Sequence, residues 1–155
     1  ISSDLVFKKH ELDDMVRQVI RKYAKIFISK KIKMDFIPTK ACIVTDEKWF
    51  IFVLEQIISN ALKYTKKGQI SIYMKEKALV IEDTGIGIPA EDLPRIFEKG
   101  FTGYNGRNDK KATGLGLNLC RKAAEHLNVG IAVESKPGVG SCFTLDLKER
   151  QFNIE

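Results

Sequence analysis

The stretch VLEQIISNALKYT, residues 53–65, carries two stripes when wound as a helix at about 100° per residue. Val53, Leu54, Ile57, Ile58, Ala61 and Leu62 fill a broad apolar face, while Gln56, Asn60, Lys63 and Tyr64 fall within one narrow polar arc. A polar arc beside a core stripe is ordinarily a solvated face. Here, however, an amide oxygen, an ammonium and an aromatic hydroxyl point the same way. That set suits a metal-bound phosphate and a nucleobase.

Working outward from this helix, Asp46 is placed to cap its start and Gly68 lies just beyond its end. Upstream, apolar residues from Leu12 to Phe27 recur at helical spacing, which predicts a first helix over residues 10–29. Residues 32–38 and 41–45 read as strands separated by a turn at Pro38. Downstream, residues 69–75 and 78–83 form a predicted hairpin, and residues 91–97 a short helix. Residues 100–114 have no periodicity and four glycines, the mark of a long functional loop. A last helix follows over residues 115–127, then strands near residues 131–134 and 141–147. Paired strands separated by helices predict an α+β fold, a mixed and mostly antiparallel sheet covered on one face by about three helices. The domain is expected to span residues 1–148, with residues 149–155 as a polar tail.

Two glycine pairs bracket the loop. Asp83-Thr84-Gly85-Ile86-Gly87-Ile88-Pro89 leaves an apolar strand, and its glycines allow close approach of a ligand to the backbone. Asp83, at the strand end, is placed to accept from an exocyclic amine such as that of adenine. Ile88, Pro89 and Ala90 follow Gly87, so the third glycine of a dinucleotide fingerprint is missing. Thr113-Gly114-Leu115-Gly116-Leu117 opens the last helix, whose free N–H groups and positive dipole end favour an anion. Neither a Walker-type phosphate loop nor the His-Arg-Asp and Asp-Phe-Gly set of eukaryotic-type protein kinases occurs.

Composition bounds the rest. With 155 residues, 44% hydrophobic and 30% charged, the chain fits one globular domain rather than a disordered segment. The net charge of +6 is dispersed, without an aromatic platform or recognition helix, so nucleic acid is not the expected partner. Cys42, Cys120 and Cys142 are odd in number and far apart, suggesting neither disulfides nor a metal knuckle and a cytoplasmic setting. No apolar run approaches the roughly 20 residues that span a bilayer.

Taken in order with Ile96-Phe97-Glu98-Lys99-Gly100-Phe101-Thr102-Gly103, these segments resemble the N, G1, F and G2 boxes of the ATP-binding domain of bacterial sensor histidine kinases. The likeness runs from about Leu5 to Leu147 and includes the closing Pro137-Gly138-Val139-Gly140-Ser141-Cys142-Phe143. It implies the two-layer α/β sandwich shared with gyrase, Hsp90 and MutL, the Bergerat fold, with ATP under a flexible lid. Position by position, the resemblance implies that Asn60 ligands Mg²⁺, Lys63 approaches a phosphate and Tyr64 lies against the nucleotide. Asp83 would accept from the adenine amine, with Gly85, Gly87 and Ile88 beside the base and ribose. Thr113, Gly114, Leu115, Gly116 and Leu117 would form the phosphate-binding helix start. Phe97 and Phe101 would anchor the lid, with Arg107, Lys110 and Lys111 as unplaced phosphate partners.

One departure bears on chemistry. Gln56 stands where many such kinases have a second asparagine and where hydrolytic relatives carry a glutamate acting as general base. Glutamine cannot take a proton from water, and Glu55 is rotated about 100° away. The expectation is therefore an ATP-dependent protein histidine kinase domain that donates the γ-phosphate rather than hydrolysing it. Asn60, Gln56 and Lys63 are its candidate catalytic residues. The form of the lid and Gln56 look most like the intramembrane-sensing kinases that accompany peptide-antibiotic transporters. His10 is followed by Glu11 but then by Leu12, Asp13, Asp14 and Met15, unlike a phosphoacceptor motif, and His126 lies in the last helix. The acceptor histidine is thus expected on a separate dimerisation domain of the same sensor. A response regulator and an ABC-type peptide transporter are the further expected partners. The fragment is expected to be monomeric, and the full-length protein a homodimer at the cell membrane with this domain cytoplasmic. The alternatives are a nucleotide-binding module without catalysis, or an anti-sigma-type protein-serine kinase of the same fold.

Overall fold

The computed structural model describes residues 4–98 and 116–147 and the backbone of residues 151–153. Strand β1 (Lys8–Glu11) leads into α1 (Leu12–Lys22), which is followed by α2 (Ala24–Ser29). Next come β2 (Ile32–Phe36), β3 (Ala41–Thr45) and the long helix α3 (Glu47–Tyr64). The hairpin β4 (Gly68–Lys75) and β5 (Ala78–Asp83) precedes a single 3₁₀ turn at Leu93–Arg95. Helix α4 (Gly116–His126) is followed by β6 (Gly130–Lys136), β7 (Gly140–Asp146) and β8 (Gln151–Asn153).

The strands form two sheets rather than one. The larger has the order β2-β4-β5-β7-β6, parallel only between β2 and β4, and the smaller has the order β1-β3-β8. The expected α+β class with a mixed, mostly antiparallel sheet is what the chain adopts. Four α-helices are described where about three were expected. The predicted first helix is shorter at its start, where His10 and Glu11 belong to β1, and it breaks at Tyr23 (φ −101°, ψ 8°). The short helix predicted over residues 91–97 is reduced to one 3₁₀ turn with a proline in it. Within the stretch expected to be a polar tail, Gln151–Asn153 pairs antiparallel with β3.

Helix α3 is the central element. All six residues of its predicted apolar face are buried, together with Phe50. Burying a large aliphatic or aromatic side chain contributes roughly 1.5–3 kcal/mol, so this face fixes α3 firmly against the sheet. Both ends of the helix are tied. Asp46 accepts the Trp49 N–H at 2.9 Å on Oδ1 and the Val6 N–H at 2.9 Å on Oδ2. Near the other end, Lys30 Nζ donates to the Leu62 carbonyl, one of those the helix terminus leaves without an intrahelical partner.

Register decides what the sheet presents to α3. Ile72, Ile81 and Phe143 are cross-strand neighbours on the inner face, as are Met74, Leu79 and Leu145. One step further, the same face continues with Ile70, Asp83 and Ser141. The alternation that buries Leu79 and Ile81 therefore delivers Asp83 into the interior at the end of β5, where it is 8% exposed.

Candidate functional site

Asp83 organises one end of the site. Its Oδ1 accepts the N–H of Gly85 at 2.9 Å and the N–H of Ser141 at 3.2 Å, joining the turn after β5 to the start of β7. Burial pushes the carboxyl above the ordinary aspartate range, opposed by those two N–H groups and the nearby Thr65 hydroxyl. Thr65 Oγ1, at the C-cap of α3, is fully buried and has no hydrogen bond of good geometry among the described residues. A Cβ built on Gly85 would press against the Tyr64 carbonyl and lie 2.8 Å from Thr65 Oγ1 and 2.9 Å from Asp83 Oδ1. Only glycine lets the chain approach these groups so closely.

The segment after Asp83 is held on both sides. Ile86 N–H donates to Tyr64 O at 3.1 Å, and Gly138 N–H donates to Ile86 O at 2.7 Å. Ile88 N–H donates to Ser135 Oγ at 2.6 Å, while Ser135 and Ser141 share a hydroxyl contact at 3.0 Å. Gly87 takes a positive φ of 77° on this path, and Ile88 is buried in the core.

The other end of the site lies where α3 meets α4. A Cβ at Gly116 would come within 2.5 Å of Gln56 Oε1, so the Gln56 amide faces the first residue of α4. Asn60 and Tyr64 follow Gln56 at successive turns of α3, about 6 Å apart along the axis. The polar arc thus runs from the start of α4 to the Asp83 end, with half-buried Asn60 between them. Lys63 is exposed, and its Nζ lies 5.5 Å from the centroid of the Tyr64 ring. Glu55 is turned away from the arc and pairs with Lys22 of α1. The two helices are further linked by the Cys120 thiol, 3.7 Å from the Val53 carbonyl.

Phe97 is half-buried against the core, beneath Arg121, whose guanidinium carbon is 5.1 Å from the ring centroid. The Asn118 amide donates to Phe97 O at 3.0 Å, tying this segment to α4. Leu117 packs against the core beside it. Phe101, Arg107, Lys110, Lys111, Thr113, Gly114 and Leu115, and with them the expected lid, lie outside the described residues. His10 belongs to β1, where its Nδ1 is 3.2 Å from Glu47, and His126 ends α4 exposed. Thr65, Ser135, Asn118 and Arg121 received no role from the sequence. Thr65 and Ser141 adjoin motifs already singled out, but only the folded register brings both to Asp83.

Over residues 45–151 the chain matches the model of the histidine kinase-, DNA gyrase B-, and HSP90-like ATPases, and it belongs to that family. Its relatives are sensor kinases. Sensor protein BceS of Halalkalibacterium halodurans is 39% identical over 157 aligned residues, covering 98% of this chain and 47% of that protein. BceS of Bacillus subtilis is 36% identical over 149, covering 94% and 45%. The chain therefore spans about half the length of these curated relatives. Among solved structures, full-length ShkA in complex with AMPPNP superposes with a TM-score of 0.79 at 20% identity, over 94% of this chain and 31% of that one. That likeness establishes the shared fold.

A purine nucleotide is the ligand such a fold implies, and the residues present fit one. Asp83 presents a buried acceptor, Thr65 a buried hydroxyl without a good partner, and Gly85 the space that a side chain would fill. Among the described residues no group of three or more His, Cys, Asp or Glu could hold a metal ion. A divalent cation at Asn60 would accordingly take most of its ligands from nucleotide phosphates and water, as Mg²⁺ commonly does.

Proposed function

We propose that this chain binds ATP with Mg²⁺ and donates the γ-phosphate to a histidine on the dimerisation domain of its own sensor kinase. The phosphate then passes to an aspartate of a response regulator. The observation that carries the nucleotide reading is the Asp83 end: a buried carboxylate whose Oδ1 is held by two backbone N–H groups, leaving Oδ2 for the adenine amine. Gly85, Gly87, Ile88 and Tyr64 border the base and ribose in this reading. Asn60 supplies an amide oxygen to Mg²⁺, Lys63 swings from the Tyr64 ring to a phosphate, and Gly116 and Leu117 begin the helix that faces the phosphates.

Gln56 supports transfer over hydrolysis. It occupies the position from which a carboxylate would deprotonate water, and a neutral amide cannot do so. Glu55 is not a replacement, since Lys22 holds it on another face. Phosphoryl transfer relies mainly on positioning and charge stabilisation and needs no strong base here. For the whole protein the proposal extends to a homodimeric membrane sensor with this domain on the cytoplasmic side, working with a response regulator and an ABC-type peptide transporter; the relatives' designation as sensor proteins supports the sensor part of that reading.

The test combines calorimetry with phosphotransfer. The chain should bind ATP in preference to GTP, with Mg²⁺ strengthening binding, and Asn60→Ala, which removes the oxygen ligand, should remove the Mg²⁺ dependence. Label from γ-³²P ATP should appear on a separately supplied dimerisation domain of the same sensor, with little free phosphate released. Equal affinity for GTP would refute the role of Asp83, and rapid phosphate release without an acceptor would refute that of Gln56.

A further inference from the structure

Helices α1 and α2 and strand β2 border an open apolar groove of about 470 Å³ whose lining includes Ile20, Phe27, Ile32 and Met34. None of its lining residues belongs to the candidate nucleotide site. Ile28 stands at the groove 77% exposed, and the nearby Ile26 is 43% exposed. β2 is the end strand of its sheet, so its outer backbone edge has no strand beside it among the described residues.

Basic residues predominate around the groove, with Asp35 of β2 the acidic residue just beyond it. Between Met15 and Met34 the sequence has no acidic residue but carries Arg17, Arg21, Lys22, Lys25, Lys30, Lys31 and Lys33. Some of this charge is used internally. Lys22 pairs with Glu55, Lys30 donates to Leu62 O, and Arg17 lies over the Phe36 ring with Asp14 4.0 Å away. Lys31 and Lys33 line the groove itself, and with Lys25 they are exposed and form no ion pair among the described residues.

We propose that this groove docks an acidic segment of a partner protein that carries aliphatic side chains, laid along β2. The apolar slot takes the aliphatic groups, and Lys31 and Lys33 face the carboxylates. The outer edge of β2 offers backbone hydrogen bonds to an extended segment. The unpaired edge of β2 distinguishes this occupant from a bilayer, because an extended peptide can pair with its backbone N–H and C=O groups and lipid tails cannot. The proposal is independent of the nucleotide reading.

A fluorescein-labelled peptide of Glu, Ser and Leu is the probe, with a Lys-for-Glu version and a Ser-for-Leu version as controls. Only the first should bind saturably, and amide shifts should centre on residues 20–34. Lys31→Glu with Lys33→Glu, or Ile28→Ser alone, should weaken binding by about tenfold or more, with the far-ultraviolet circular dichroism and a cooperative thermal transition retained as proof of folding. Equal binding of the Ser-for-Leu peptide would reduce the effect to diffuse charge and overturn the proposal. So would shifts lying elsewhere, self-association through Ile28, or Ile28-dependent binding to phosphatidylglycerol vesicles without binding to the peptide.

Discussion

Gln56 of α3 and Gly116 of α4 face each other with no room for a side chain between them, since a Cβ at Gly116 would lie 2.5 Å from Gln56 Oε1. The contact joins two elements remote in sequence, and it puts a neutral amide against the first residue of α4. Gly116→Ala must therefore push aside the end of the flexible glutamine side chain, a strain of up to about 1 kcal/mol where it is forced off its rotamer. Gln56→Ala should relieve that strain. A double-mutant cycle by urea denaturation is expected to give a coupling above roughly 0.5 kcal/mol, and additivity would mean the two side chains do not meet.

Asp83 sets a pH dependence of definite sign. Burial raises its native pKa above the unfolded value of about 3.9. The native state then keeps a proton that the unfolded chain has released, so this residue's contribution to stability falls as pH rises from about 4 through the raised native value. Asp83→Asn removes the effect, and the stability difference between the two proteins should change over that window alone. Nucleotide affinity should move oppositely, because a protonated Oδ2 presents a donor to the adenine amine. The ratio of wild-type to Asp83→Asn affinities should shrink towards acid pH, from about tenfold or more near neutrality.

The ends of α3 are predicted to matter unequally. Asp46→Ala removes a helix cap and the acceptor of Val6 N–H together, at about 1–2 kcal/mol. Lys30→Met leaves the Leu62 carbonyl to water at about 1 kcal/mol, because Lys30 is only partly buried. Thermal unfolding separates the two. Equal losses would show that the cap is not the stronger tie.

Thiol chemistry offers a probe of the packing between α3 and α4. Burial pushes the Cys120 thiol up to about 12, and Cys42 is 7% exposed. Cys142 is half-buried, its pKa raised by burial and then by Glu82. At pH 8 an aromatic disulfide reagent should label Cys142 slowly and the other two only on unfolding. Prompt labelling of Cys120 would mean that α4 separates readily from α3.

Helical and strand periods carried most of the fold. The apolar face of α3 and the alternation of β4, β5 and β7 are strong because both patterns point into one core. β1 was illegible for the converse reason: Lys8, Lys9, His10 and Glu11 include no apolar residue, and the strand exists through its ladder to β3. β8 has only Phe152 as an apolar cue. At the site, Gln56, Asn60 and Tyr64 were legible as a stripe on one helix. The Thr65 hydroxyl, the Ser141 N–H and the Gln56 to Gly116 contact depend on pairings between distant segments, which local spacing does not encode.

The Val6 N–H bound to Asp46 joins the N-terminal strand region to the helix that carries Asn60. From Asp46 to Asn60 runs about 20 Å of unbroken helix, with the small sheet gripping its near end through β3. A displacement of the segment before β1 therefore meets α3 first at its N-terminal end, through the Asp46 carboxylate and the ladder from β1 to β3.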